Sequence, residues 1–293
     1  MRSRIALAAC CILLMAGCVK DDSTATRTKP VEFVKNYKEP AFADPGRIQK
    51  IQEMQPVIQQ VYEKLSEENH FPGLAYGVVA DGKLILSGAT GYSNVDKKIP
   101  ASSKSLFRIA SRTNSFTAMA ILKHRDKGRL RLTDPASLYI KDMANLNYLT
   151  QDAAEITIQN LLTMSAGFPE DNPWGDRQLA DSPEELDAFI KDGISFSNTT
   201  AKEFEYSNLG YGMLGRIIDQ VSGVPYQKYI TENILKPLGM LDTQWEYSGI
   251  SEQLLAKGYR WEDDTWKEEP LLHDGIFGAM GGLITSIEDF SKY

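Results

Sequence analysis

The chain has 293 residues, 42% of them hydrophobic and 24% charged, proportions of a globular protein large enough for one big domain or two small ones. Its net charge is -7 and it has no Lys/Arg-rich run, which argues against nucleic acid as a partner, since phosphate binding needs a basic surface. Its only cysteines, Cys10, Cys11 and Cys18, sit at the N-terminus, so the body has neither a disulfide nor a thiol for metal or catalysis.

The first residues read as targeting. Arg2 and Arg4 precede an apolar run, Ile5 to Ala16, too short to span a bilayer. It ends in "LLMAGCVKDD", whose small-residue pair before Cys18 resembles a bacterial lipoprotein signal. Residues 1–17 are then a signal peptide, and Cys18 carries the lipid. Residues 18–45, polar and broken by Pro30, Pro40 and Pro45, form a flexible tether to a domain at 46–293. The expected location is the cell envelope, facing the periplasm. Val19, with Asp delayed to 21 and 22, points to the outer rather than the inner membrane by analogy with enteric sorting rules.

Residues 47–68 space Ile51, Met54, Ile58, Val61 and Leu65 three and four apart, which predicts an amphipathic helix kinked at Pro56. Two β-rich runs flanking Asp81-Gly82 predict a hairpin. From 107 to about 240 the pattern is mostly helical. One helix follows Ser111 and stops at Gly128. Others begin at Asp134-Pro135, run through 156–168, and span 182–193 with Ser182 and Glu185 as a capping box. Segments 207–223 and 224–240 complete the set. Ser286 followed by Asp289 reads as a last helix start, with Ile287 and Phe290 left uncovered.

The three histidines lie in no H-E-x-x-H pattern, and no G-x-S-x-G elbow surrounds a serine. No metal site and no cofactor are expected. Ser111 remains as the nucleophile candidate. At a helix start its hydroxyl caps the first turn or attacks a carbonyl, with backbone N–H groups nearby for an oxyanion. Asn114, three residues on, shares its face. "EYSN" offers Tyr206 and Asn208 in a turn entering a helix. Either motif alone occurs by chance.

In their order and spacing, "LFRIASRTNSFTAMAIL", "GRLRLTDPASLYI", "ITIQNLLTMSAGF", "EYSNLGYGMLGRII" with "ILKPLGM", and "GAMGGLITSIEDFSKY" resemble the β-lactamase/penicillin-binding-protein superfamily of serine hydrolases, in its class C and esterase-like branch. The resemblance implies an α+β, β-lactamase/transpeptidase-like fold: an antiparallel sheet flanked by helices, a helical subdomain, and the site between them. It implies acyl-enzyme hydrolysis of an amide or ester. The substrate class is a cell-wall (peptidoglycan-derived) peptide, a β-lactam or a small ester. Ser111 matches the nucleophile, Tyr206 its activating phenol and Asn208 the substrate-contacting amide.

Two departures follow. Asn114 stands where the family has a lysine, and an amide cannot take a proton. Arg112 does not replace it, because it stays protonated and neighbouring helix positions point about 100° apart. The family's third motif, a Lys-Thr-Gly or His-x-Gly strand, lies beyond the final block, so the expectation is a C-terminally truncated domain lacking part of its sheet. The expected function is a weak or inactive hydrolase. The alternative is a non-catalytic envelope lipoprotein that binds peptidoglycan or a protein. The loop at 168–178 is a candidate wall of the cleft through Trp174, or simple packing.

Overall fold

The computed structural model describes residues 42–172 and 174–293. The expected signal peptide, Cys18 and nearly all of the expected tether lie outside the described residues. Among the described residues no helix is long and apolar enough to cross a membrane.

The N-terminal helical pattern divides into α1 (Arg47–Glu53) and α2 (Gln55–Glu68), with Pro56 in the first turn of α2. There a proline lacks only an N–H that would be unpaired anyway. The apolar stripe does not become a core face. Met54, Val61 and Leu65 are exposed, as is Val57. The helix instead meets the sheet through Tyr62, stacked on Tyr76 at 4.4 Å, and through Gln59, which accepts the Tyr76 hydroxyl at 2.6 Å. Gly88 makes room for that tyrosine, since a Cβ there would lie 2.3 Å from its hydroxyl.

Strands β1 (Gly73–Ala80) and β2 (Lys83–Asn94) form the expected antiparallel hairpin. Asp81 and Gly82 both take positive φ, 52° and 67°, as a type I′ turn requires. The short β3 (Ile99–Pro100) pairs with the end of β2, giving the order β1-β2-β3. The brief β4 (Phe107–Arg108) leads through a 3-10 turn, Ala110–Arg112, into α3 (Thr113–Asp126), which ends before Gly128 at φ 67°.

The next stretch is less helical than its pattern. After Asp134-Pro135 only a 3-10 turn forms, Ala136–Leu138. The Asp134 carboxylate turns back to Arg131 and Tyr139 instead of capping a helix. Residues 156–168 give only α4 (Ile158–Leu162), opened by a Thr157/Asn160 capping box. The chain then continues through α5 (Trp174–Arg177), α6 (Pro183–Asp192), α7 (Asn208–Ser222) and α8 (Tyr226–Ile230). A π-helical turn, Thr231–Leu235, joins α8 to α9 (Lys236–Leu238). The expected Ser182/Glu185 box is formed and α6 ends at Gly193, while α7 ends at Gly223 in the left-handed conformation.

An antiparallel hairpin with only a weak sequence signal follows: β5 (Gly258–Glu262) and β6 (Thr265–Glu269). Its turn is Asp263-Asp264, both at positive φ, a weaker signal than Asp-Gly. The final block forms α10 (Gly278–Gly281), β7 (Ile284–Thr285) and α11 (Ile287–Phe290). Ser286 caps α11 as expected. Phe290, expected to be uncovered, is half-buried near Phe116, and Tyr293 stacks on Phe116 at 4.3 Å.

The main core lies where α3, α7 and α10 meet, with Phe116, Met213, Leu214, Ile217 and Phe277 essentially closed to solvent. α7 comes close to α10 because of Gly215, where a Cβ would lie 2.6 Å from that of Ala279.

Candidate active site

The serine turn is held from below by the final block. Phe107 and Arg108 of β4 pair with Thr285 and Ile284 of β7. The Ile109 N–H donates to the Leu283 carbonyl at 2.9 Å, and the Leu283 N–H donates to Thr113 Oγ1 at 3.2 Å. The Thr117 hydroxyl donates to the Ala279 carbonyl at 2.6 Å. Between these anchors Ala110 sits at φ 46°, a left-handed conformation that costs a non-glycine residue on the order of 1 kcal/mol. The strain turns the chain sharply from strand to helix and leaves Ser111 exposed.

That geometry answers the capping question. Neither the 3-10 turn nor α3 has a side-chain cap, so Ser111 is not serving as one. Among the described residues neither the Ser111 hydroxyl nor its amide N–H makes a hydrogen bond. An exposed hydroxyl beside a free N–H offers a nucleophile and an oxyanion donor together.

Asn114 and Tyr206, 92 positions apart in sequence, meet. The Asn114 Nδ2 donates to the Tyr206 hydroxyl oxygen across 3.3 Å, a long contact for an N–H···O bond. Asn114 Oδ1 is buried with no partner. The amide thus gives the phenol a neutral donor where a cation would hold a phenolate, and it can accept no proton.

Asn208 begins α7 and is fully buried. Its Nδ2 donates to Asn172 Oδ1 at 2.7 Å, and its Oδ1 has no partner. Asp171 explains the burial. Its carboxylate accepts the N–H groups of Asn208 and Leu209 at 2.7 and 2.8 Å and the Ser207 hydroxyl at 3.4 Å, which ties the segment around Asp171 to the start of α7. Burial raises the pKa of Asp171, while the two amides pull it back. This second cap is invisible in the residue pattern, because Ser207 already fills the local one through Gly210. Trp174 packs against Phe189 and Phe277.

A cleft of about 340 Å³ opens beside Ala110, with Phe107, Leu271, Leu272 and Met280 among its apolar walls. Arg108 also lines it. Its Nη2 donates to the Leu272 carbonyl at 2.8 Å, its Nη1 is buried without a partner, and burial lowers its pKa. The histidines lie elsewhere. His124 is a buried residue near the end of α3, His70 stacks on Trp261, and His273 bridges Glu246 and Tyr247. Among the described residues no cluster of three or more His, Cys, Asp and Glu side chains is placed to hold a metal.

The family model described as Beta-lactamase matches residues 58–293. The chain is 35% identical over 244 residues to Protein flp of Staphylococcus aureus (strain NCTC 8325 / PS 47), covering 82% of this chain and 48% of that protein. It is 26% identical over 271 residues to Beta-lactamase-like protein 2 of Dictyostelium discoideum, covering 88% of this chain and again 48% of the relative. The chain therefore spans about half the length of the curated relatives it matches. In structure it is similar to the octameric penicillin-binding protein homologue from Pyrococcus abyssi, with TM-score 0.69 and 29% identity over 81% of this chain and 55% of that one. A class C beta-lactamase matches at the same TM-score and 20% identity, over 82% of this chain and 63% of that one, a likeness of fold. The α+β architecture, the blocks around Ser111 and Tyr206 and these matches agree: the chain belongs to the Beta-lactamase family.

Proposed function

We propose that this chain is a serine hydrolase domain of the acyl-enzyme type in which Ser111 is the nucleophile and turnover is slow. The observation that carries the reading is the Asn114–Tyr206 contact: a neutral amide occupies the position where the family has a lysine. In the proposed reaction Tyr206, as phenolate, takes the Ser111 proton as Oγ attacks an amide or ester carbonyl, and the proton is passed on to the amine or alcohol that leaves as the acyl-enzyme forms. The Ser111 N–H faces the developing oxyanion, and water later releases the acyl group. With no cation beside the phenol, proton removal is the weak step. Loss of a general base costs about 10²–10⁴ in rate.

The test is covalent labelling of the purified chain by a fluorophosphonate or a fluorescent penicillin. The expected result is slow labelling that disappears in Ser111→Ala. Labelling as fast as that of lysine-bearing relatives would overturn the weak-base argument.

One observation favours a second reading, in which the domain binds a peptidoglycan fragment or a protein without turnover: the Asn208 amide, a substrate contact in the family, is engaged with Asn172 beneath a loop. Binding to purified sacculi that survives Ser111→Ala would support that reading. Either role is compatible with a lipid anchor at Cys18 in the envelope, for which metabolic palmitate labelling lost in Cys18→Ala is the check.

A further inference from the structure

The Ser111 region leaves one group of side chains unexplained. Four aromatic residues from three separate parts of the chain, Phe71 after α2, Tyr92 in β2 and Trp261 and Trp266 in the β5–β6 hairpin, line a common groove of about 470 Å³. Three of them stay open to solvent: Phe71 is 44% exposed, Tyr92 42% and Trp261 38%. Clustered exposed rings are costly in water and mark binding surfaces.

The cluster is held in place by packing and hydrogen bonding. The Trp261 ring lies flat on His70, with centroids 4.2 Å apart and planes within 3°. Trp266 meets Trp261 edge-on at 5.2 Å, and its indole N–H donates to the His70 carbonyl at 2.8 Å. The hairpin is thereby fastened to the end of α2, and the rings need no rearrangement to receive a ligand.

The polar groups indicate the ligand's charge. Ser66 lines the groove at 8% exposure, and its hydroxyl is buried at the base with no partner. Glu63 and Glu67 also line it, and neither lysine nor arginine does. Glu63 accepts from Gln59 at 2.8 Å, whereas the Glu67 carboxylate makes no hydrogen bond or ion pair among the described residues. Two carboxylates repel an anion. Aromatic faces attract a cation through the ring quadrupole, most strongly for tryptophan.

We propose that this groove binds a small organic cation of the alkylammonium class, its charged head set against the Trp261, Trp266 and Tyr92 rings and held by Glu67, with Ser66 at the base. The site is independent of Ser111 chemistry.

The test uses the full chain and tetramethylammonium chloride as the probe, with sodium chloride at equal ionic strength as the blank. The uncharged comparators are tert-butanol and N-acetylglucosamine. Indole N–H resonances are followed by NMR. Those of Trp261 and Trp266 should shift saturably with the cation, while those of Trp174 and Trp245 should not. Trp261→Ala should weaken binding about fivefold. Glu67→Gln, on an exposed position of α2 where the fold is not at risk, should also weaken it about fivefold and reduce its salt dependence. The proposal is overturned if no saturation is reached, if tert-butanol or N-acetylglucosamine binds as well as the cation, or if Glu67→Gln binds like the wild type.

Discussion

His124 gives the sharpest test of how this core handles a polar group. It lies on α3, wholly buried, with its ring stacked on Tyr229 at 4.2 Å and neither nitrogen hydrogen-bonded. Burial, reinforced by Arg129 and Lys127, lowers its pKa from 6.5 to about 4. In the unfolded chain the same ring takes its proton near 6.5. Between those values the unfolded state binds the extra proton, so stability falls as pH falls through the window. Above pH 6.5 both states are neutral and the linkage contributes nothing. The full loss at the acid end is at most about 3 kcal/mol, and less to the extent that water reaches the ring. His124→Phe keeps the stack, removes two unsatisfied nitrogens and cannot titrate. Near neutral pH it should stabilise by about 1 kcal/mol. Urea unfolding at about pH 7.5 and about pH 4.5 should show its advantage growing by about 2 kcal/mol at the lower pH. Asp219 and Asp274, both raised by burial to about 6, act in the opposite sense, gaining stability as pH falls through that value. Their contribution is common to both proteins and cancels in the difference. A wild-type-to-variant difference independent of pH would refute the reasoning.

Asp171→Ala should cost about 1–2 kcal/mol, read as a lower midpoint in urea, because two N–H groups at the start of α7 lose their acceptor. The same change should make the segment around Asp171 more susceptible to proteolysis. Gly215→Ala should cost about 1–3 kcal/mol by overpacking α7 against α10. Gly210→Ala, nearer the start of the same helix, meets nothing nearer than 3.6 Å and should be neutral or stabilising by about 0.5–1 kcal/mol, so thermal melts of the pair separate crowding from helix propensity. Ser182→Ala should lower stability by about 1 kcal/mol through loss of the capping box on α6, visible in the same melts.

The sequence by itself determined what short-range chemistry controls. Asp81-Gly82 specified a type I′ turn because two adjacent residues had to accept positive φ. Ser182 and Glu185 specified the start of α6 because both partners of the capping box lie within one helical turn. The ordered blocks around Ser111 and Tyr206 identified the family. Tertiary structure alone decided the rest. Helical spacing could not reveal that Val61 and Leu65 of the stripe on α2 stay exposed, since burial depends on what the remaining chain lays against it. It could not reveal that Ala110 would be strained, because that φ is imposed by the anchors from Leu283 and Ala279 on either side of the turn. Nor could it reveal that Asn114 meets Tyr206, or that Asp171 closes a loop over Asn208, because each pair is joined by chain folding back across dozens of residues. Residue types set which chemistry Ser111 and Asn114 can perform; the fold of distant segments set which groups they face.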